Sequence, residues 1–162
     1  MLPLVVAATL NAAAPSVVTN DQLPGVLIAA CLDGRAQMGA ATPIDFEALP
    51  LELRGRLGKP SAAQVWKFNG LDQAYLYSLR YTDRAFSPRI CGVASDELVL
   101  RPASAAVESR LRGAASAGSY RPVEWISEEA GYRALATRKG GFTILQVNWL
   151  KEEAGPDDST TQ

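Results

Sequence analysis

The chain has 162 residues, of which 48% are hydrophobic and 20% charged, and its formal net charge is −1. This length and composition are typical of a single globular domain that is long enough to bury a core. The absence of histidine excludes hydrolases that use a histidine base, and it excludes zinc sites built on imidazole. A net charge close to zero gives no electrostatic reason to expect nucleic acid or an anionic membrane as partner.

The N-terminal stretch Met1–Ala14 is apolar, with Thr9 and Asn11 as its only polar residues. Such a run is typical of a secretory signal peptide, so we predict a leader at 1–14 and a periplasmic or secreted protein. Two features disagree, because no Lys or Arg precedes the run and Pro15 directly follows its small-residue site. The alternative is a buried N-terminal strand or helix. The run is shorter than the ~20 residues of a membrane span, so we predict no integral membrane protein.

Apolar residues at helical spacing between Thr19 and Asp33 predict a first helix. Thr19 and Gln22 have the spacing of a capping box, and Gly34 follows as a C-terminal stop. The buried stripe of this helix is predicted to consist of Leu23, Val26, Leu27, Ala30 and Cys31. The next stretch, 35–60, is rich in Gly, Ala and Pro and is predicted to be mostly loop. Within it, a four-residue repeat predicts a short helix at Pro50–Leu57, with Leu49, Leu53 and Leu57 aligned.

The clearest strand pattern lies between Val65 and Val93. Its middle run alternates with period two, with Leu76 as the exception, and one face carries Tyr75, Tyr77, Leu79 and Tyr81. The other face carries Ser78, Arg80 and Thr82 and looks solvated. Turn residues at Asn69-Gly70 and Ser87-Pro88 divide the stretch. We therefore predict three antiparallel strands, the last of which contains Cys91.

The C-terminal half predicts one helix and further strands. Pro102 begins a helix through Arg112, and the small-residue stretch 113–119 is predicted to be a surface loop or hinge. Strands are predicted at Tyr132–Thr137 and Phe142–Leu150, joined by a turn at 138–141, with a short strand at Val123–Ile126 before them. No internal repeat is visible.

Together these elements predict an α+β fold. About five antiparallel strands form one sheet, and the first helix and the 102–112 helix are the two main helices, packed on one face. Residues 15–150 form this single domain, and the polar stretch 151–162 is predicted to be a flexible tail.

Cys31 and Cys91 are the only cysteines, one on a helix face and one at an inward strand position. If the leader is real, an oxidising compartment favours a disulfide bond between them. The bond would pin the first helix to the sheet. The alternatives are two buried free thiols and, least favoured because no Cys-x-x-Cys is present, a redox-active pair.

Several short motifs occur in a fixed order. An Ala-rich leader precedes a helix that ends in Cys31-Leu32, a hairpin opened by Trp66, a strand with Cys91-Gly92-Val93, and a second helix. In this layout the chain resembles a group of small uncharacterised secreted bacterial proteins, over the stretch from Leu23 to Leu111. The resemblance implies secretion and a Cys31–Cys91 bridge, and it implies no activity.

No residue pattern predicts a catalytic residue, a metal site or a cofactor. Ser116 lies in a glycine-flanked loop but has no histidine to activate it. Pairs of carboxylates close in the sequence are more typical of surface positions than of a catalytic acid and base, and they occur at Asp45/Glu47, Asp96/Glu97, Glu128/Glu129 and Asp157/Asp158. A weak anion-binding patch is the most that the arginines of the C-terminal half predict, and these are Arg110, Arg112, Arg121 and Arg133.

The tyrosine face has two interpretations. Tyr75, Tyr77 and Tyr81 are core residues beneath a helix, which is the favoured interpretation, or they form an exposed aromatic binding face. The leading function is a secreted or periplasmic non-enzymatic domain that binds a protein or a small ligand. The alternatives are a histidine-free enzyme using carboxylates or tyrosine, and a cytoplasmic interaction module with an ordered N-terminal strand.

Overall fold

The computed structural model describes residues 17–35, 38–84, 88–111, 114–116, 123–127 and 131–150. The predicted leader at 1–14 and the predicted tail at 151–162 lie outside these ranges. Within them the protein is α+β, with a single antiparallel sheet. The predicted fold class is therefore confirmed.

Three α-helices occur in the described residues: α1 (Leu23–Leu27), α2 (Leu51–Leu57) and α3 (Leu100–Glu108). A 3₁₀ turn (Asn20–Gln22) precedes α1, and α1 continues as a π-helical segment, Ile28–Leu32. The chain leaves this segment at Gly34, whose φ is 62°, because glycine tolerates the left-handed conformation that ends a helix. None of the helices of the described residues is long and apolar enough to cross a membrane.

Across the described ranges the sheet contains eight strands, all antiparallel to their neighbours. In chain order they are β1 (Ala41–Ile44), β2 (Ala62–Phe68), β3 (Ala74–Arg80), β4 (Arg89–Ser95), β5 (Ala114–Ser116), β6 (Val123–Ser127), β7 (Tyr132–Lys139) and β8 (Phe142–Trp149). Their spatial order is β1-β2-β3-β4-β8-β7-β6-β5. The three strands predicted between Val65 and Val93 correspond to β2, β3 and β4.

The two halves of the sheet are arranged alike. From either edge inwards, four strands follow one another in chain order: β1 to β4 from one edge and β5 to β8 from the other. Each half is a four-stranded meander preceded by a helix, and the two meanders meet at the antiparallel pair β4–β8. Trp66 and Trp125 occupy corresponding places, each on the second strand of its half and paired with both strand neighbours. The chain thus has a repeated architecture that its sequence does not reveal.

Two faces of the sheet carry two separate cores. On the helical face, α1 and α3 pack over β4, β7 and β8, as predicted for the two main helices. On the opposite face, which we call the α2 face, three leucines of one stripe pack against β2, β3, β4 and β8, and these are Leu49, Leu53 and Leu57. The four-residue repeat therefore predicted α2 correctly.

Five strands and two helices were too few. β1 and β5 have four and three residues, and they lie in stretches whose Gly, Ala and Pro content predicts loop. Strands this short have no room for an alternating pattern, and they form because a longer neighbour pairs with them. β5 occupies part of the predicted loop at 113–119, of which the other residues lie outside the description.

Two boundaries also differ from the prediction. α3 ends at Glu108 rather than at Arg112, and the chain turns at Ser109 and Arg110. The β7–β8 hairpin turns on two residues only, Gly140 and Gly141, with φ values of 60° and 81°. Two left-handed residues suit the twist of a tight hairpin, so the preceding Arg138 and Lys139 remain in the strand.

Candidate functional site

The N-terminal helical segment is fixed at both ends. The Sγ atoms of Cys31 and Cys91 lie 2.03 Å apart, at disulfide-bonding distance, so the π-helical segment is attached to β4. At the other end, the Asn20 side chain accepts a hydrogen bond from Ser95 Oγ at 2.7 Å and donates one to Glu97 at 2.9 Å. The predicted attachment of the first helix to the sheet is confirmed.

A cavity of about 670 Å³ lies beside this helix, between α1 and the β1–β2 edge of the sheet. Its apolar walls are formed by Val26 and Ala29 of the helical segment and by Phe68 of β2. The remaining apolar lining comes from Val18, Ala40 and Ala41. We call this feature the α1 groove, and its volume lies within the range of small-molecule pockets.

The rim of the α1 groove is polar. Asp21 and Gln22 lie at the N-terminal end of the helical segment, and Arg35 lies just beyond its C-terminal end. The Gln22 side chain also accepts a hydrogen bond from the Thr19 backbone N–H at 3.1 Å, which is one half of the predicted capping box. An apolar cleft with a carboxylate and a guanidinium at its rim suits a molecule that has an apolar body and a polar end.

The sequence pattern did not identify this groove. Its lining includes small residues on the side of α1 that faces away from the predicted stripe, such as Gly25 and Ala29. A Cβ built at Gly25 would meet nothing within 4 Å. Small residues on a helix face beside a sheet edge leave open space, and this is the signal that the sequence offered.

The tyrosine face is a second core rather than an open surface. Tyr75, Tyr77 and Tyr81 are 6%, 0% and 4% exposed, and α2 packs over them. The face predicted to be solvated is covered in part. Ala74 and Leu76 pack beneath the helices of the helical face, whereas Arg80 and Thr82 are exposed and Ser78 is partly exposed. Helices on both sides of β3 explain why its first four residues are buried on both faces.

Tyr77 crosses β4 to reach β8. Its hydroxyl donates a hydrogen bond to Gln146 Oε1 at 2.7 Å, and Gln146 Nε2 donates to Asn148 Oδ1 at 2.6 Å. The ring passes over Gly92, where a built Cβ would lie 2.5 Å from the Tyr77 oxygen. Only glycine leaves room for this crossing. Full burial raises the pKa of Tyr77 well above its ordinary value of 10.0.

The other two tyrosines also hold their protons. Burial raises the pKa of Tyr75 above 10.0, with a further contribution from Asp96. Burial raises the pKa of Tyr81 as well, partly offset by Arg84, whose Cζ lies 3.8 Å from the ring centroid. A phenol whose pKa is raised stays protonated at neutral pH, so it offers no phenolate that could act as a base. The Tyr81 hydroxyl donates to the Leu57 carbonyl and links the residue that follows β3 to the last residue of α2.

The remaining candidate residues do not come together. In the described part of the chain, no group of three or more His, Cys, Asp or Glu residues is arranged to hold a metal. Arg110 lies at the end of α3, whereas Arg133 lies on the α2 face and pairs with Glu124 at 3.4 Å. The weak anion-binding patch is therefore not formed by these two, and Arg112 and Arg121 lie outside the described residues. Glu128, Glu129, Asp157 and Asp158 lie outside them too.

No family model, no curated protein and no solved structure matches this chain.

Proposed function

We propose that this chain is a secreted or periplasmic non-enzymatic domain that binds a small amphipathic ligand in the α1 groove. One observation carries the proposal: an apolar cleft of about 670 Å³ with a charged rim lies against a helix that a disulfide bond holds in place. Its walls are apolar and its rim is charged, so a ligand gains from burying its body and leaving its polar end at Asp21 or Arg35.

The disulfide bond supports preorganisation of the groove. Cys31 lies in the helical wall and Cys91 in the second strand from β2, so the bond limits how far the wall moves from the sheet. A groove that exists before the ligand arrives costs less ordering free energy on binding than one that must form. Reduction of the bond is therefore expected to weaken ligand binding, even where the protein stays folded.

Export is supported by three features that agree. The apolar stretch 1–14 is typical of a leader, the only two cysteines are within bonding distance, and the layout resembles a group of small secreted bacterial proteins. Intact mass of protein purified from exporting cells, with and without alkylation after denaturation, tests this. Loss of the apolar stretch together with resistance to alkylation is expected. A full-length mass that takes two alkyl groups would contradict export and favour a cytoplasmic interaction module.

The groove itself is tested with 1-anilinonaphthalene-8-sulfonate, a probe with an aromatic body and an anionic end. We expect saturable one-to-one binding by the native protein and a loss of affinity of about tenfold in Ala29→Trp, which fills the groove. Ala105→Trp is the matched control, because Ala105 is exposed on α3 and outside the groove lining. Equal binding by both variants would overturn the assignment of the site.

A second variant protects this test from a folding artefact. Gly25→Leu also fills space beside the groove. A Cβ at this position has no other atom within 4 Å, so the new side chain is accommodated without a clash there. Replacing a helical glycine by leucine increases helix propensity, so this variant is expected to be at least as stable as the native chain. Reduced probe binding with unchanged or increased stability is the expected result.

A further inference from the structure

Two arginines lie directly opposite each other on neighbouring strands of the helical face. Arg80 ends β3 and Arg89 begins β4, and the register pairs them. Directly opposed residues in an antiparallel pair have Cβ atoms about 5 Å apart, and like charges at such positions repel. In the described ranges the one ion pair is Arg133–Glu124 on the α2 face, so neither Arg80 nor Arg89 has a carboxylate partner there.

Trp149 extends the pair of arginines to a row of three residues across β3, β4 and β8. The register places Trp149 of β8 opposite Arg89, and the Arg89 Cζ lies 5.6 Å from the Trp149 ring centroid. The Trp149 ring meets Tyr132 edge-on, with centroids 5.6 Å apart. This stacking holds the indole in one orientation beside the guanidinium group of Arg89.

The row lies beyond the end of the helical cover. Cys31, in the last turn of the π-helical segment, is bonded to Cys91, and Arg89 is two residues further along β4. Arg80 is exposed, and Arg89 and Trp149 are partly exposed. Three groups that favour a partner, two cations and an indole, are therefore presented together on an open part of the sheet.

We propose that Arg80, Arg89 and Trp149 form a docking surface for an acidic segment of a partner protein. Guanidinium groups bind carboxylates through paired hydrogen bonds, and an acidic segment relieves the repulsion between the two arginines. Arg and Trp are also enriched among the residues that dominate protein interfaces. The surface is an open sheet row rather than a cleft, so it fits an extended segment better than a small anion. It is separate from the α1 groove and does not depend on it.

The test measures binding of an acetylated peptide of alternating glutamate and leucine by calorimetry. Micromolar affinity is expected for the full chain, with a loss of about tenfold in Arg80→Glu and in Trp149→Ala. Arg101→Glu is the matched control, because Arg101 is exposed on α3; it is expected to change affinity by less than about twofold. An equal loss in Arg80→Glu and in the control Arg101→Glu would show a general charge effect and overturn the proposal, as would no binding at about 1 mM peptide.

A stability measurement separates docking from a structural role. Arg80→Glu replaces a repulsive pair by an attractive one, so the denaturation midpoint of the free protein is expected to rise while peptide binding falls. A fall in both would mean that Arg80 serves the fold, and it would overturn the proposal.

Two further arms identify the occupant. Inorganic phosphate is expected to compete only weakly, and displacement of the peptide by phosphate at micromolar concentration would assign the surface to a small anion instead. Glu152→Gln/Glu153→Gln in the full chain is expected to leave peptide affinity unchanged. A gain of about tenfold would mean that these glutamates compete for the site in the free chain, and it would overturn a partner-binding role.

Discussion

The two halves of the sheet share a strand arrangement but differ in which of their faces are covered by helices. In the first half, β1 to β4, the helical face is covered by α1 and the opposite face by α2. In the second half, β5 to β8, α3 covers the helical face, and no described helix covers β6 and β7 on the opposite face. There Arg133 is exposed, and it pairs with Glu124 across the strands.

This difference appears in the strand sequences. β3 reads Ala-Tyr-Leu-Tyr-Ser-Leu-Arg and is buried at five of its seven positions, since helices cover both of its faces. β7 reads Tyr-Arg-Ala-Leu-Ala-Thr-Arg-Lys and alternates over its first five residues between buried and more exposed side chains. One architecture thus produces a two-sided core in one half and a one-sided core in the other. The half with two cores also carries the groove and the disulfide bond.

The disulfide bond is the largest single asymmetry between the halves, because it joins the segment that continues α1 covalently to the sheet, whereas α3 contains no cysteine. It joins residues 60 apart in the chain. The double variant Cys31→Ser/Cys91→Ser is expected to lose about 4 kcal/mol of unfolding free energy, because the unfolded chain regains the entropy of an open loop. Guanidinium denaturation of the oxidised protein and of the variant measures this loss.

Reductant provides the control for this first prediction. Reduction of the native protein is expected to lower its stability to that of the variant, whereas the variant itself is expected not to respond to reductant. A native protein whose stability is the same with and without reductant would contradict the bond between Cys31 and Cys91. It would also remove the main support for an oxidising compartment.

In both halves the sequence predicted the longer elements better than the short ones, for a physical reason. Period-two alternation, turn residues and a leucine repeat are local signals, and they located β2, β3, β4, β7, β8 and α2. The disulfide bond was favoured over two free thiols because a leader indicates an oxidising compartment. β1 and β5 could not be predicted, because their residues form strands only when a neighbour is present.

The α1 groove and the row formed by Arg80, Arg89 and Trp149 could not be predicted from the sequence either, because both depend on strand register. Nothing local in the chain indicates that Arg80 faces Arg89 and that Arg89 faces Trp149. A shift of one residue would place each side chain on the other face. Burial of Leu76 on the otherwise polar face of β3 was missed for a similar reason, since only the packing of α1 shows that this side chain is covered.

One leucine in each half tests whether a helix covers the α2 face of that half. Leu53 of α2 is 1% exposed beneath the first half, and Leu53→Ala is expected to cost about 3 kcal/mol through lost burial and a residual cavity. Leu135 of β7 is partly exposed on the same face of the second half. Leu135→Ala is expected to cost less than about 1 kcal/mol, because solvent already reaches the side chain. Equal costs in chemical denaturation would mean that the second half is also covered.

A smaller loss than that of Leu53→Ala is expected from removing the hydrogen bond that crosses from one half to the other. Tyr77→Phe leaves Gln146 Oε1 without its partner in a buried site, so a loss of about 1 to 2 kcal/mol is expected at neutral pH.

The pH dependence of the same variant separates the hydrogen bond from general packing. Burial raises the pKa of Tyr77 above 10.0, so the unfolded chain releases this proton near pH 10 while the native protein keeps it. The stability that depends on this proton is complete below pH 10 and is lost as the pH rises further, with a slope of about 1.4 kcal/mol per pH unit. Tyr77→Phe removes that part of the slope, although Tyr75 and Tyr81 keep theirs. The unfolding free energy of the variant and of the native chain is measured at several pH values above 10. An equal dependence on pH for the two would show that Tyr77 ionises in the folded state, and that its hydrogen bond to Gln146 is lost there.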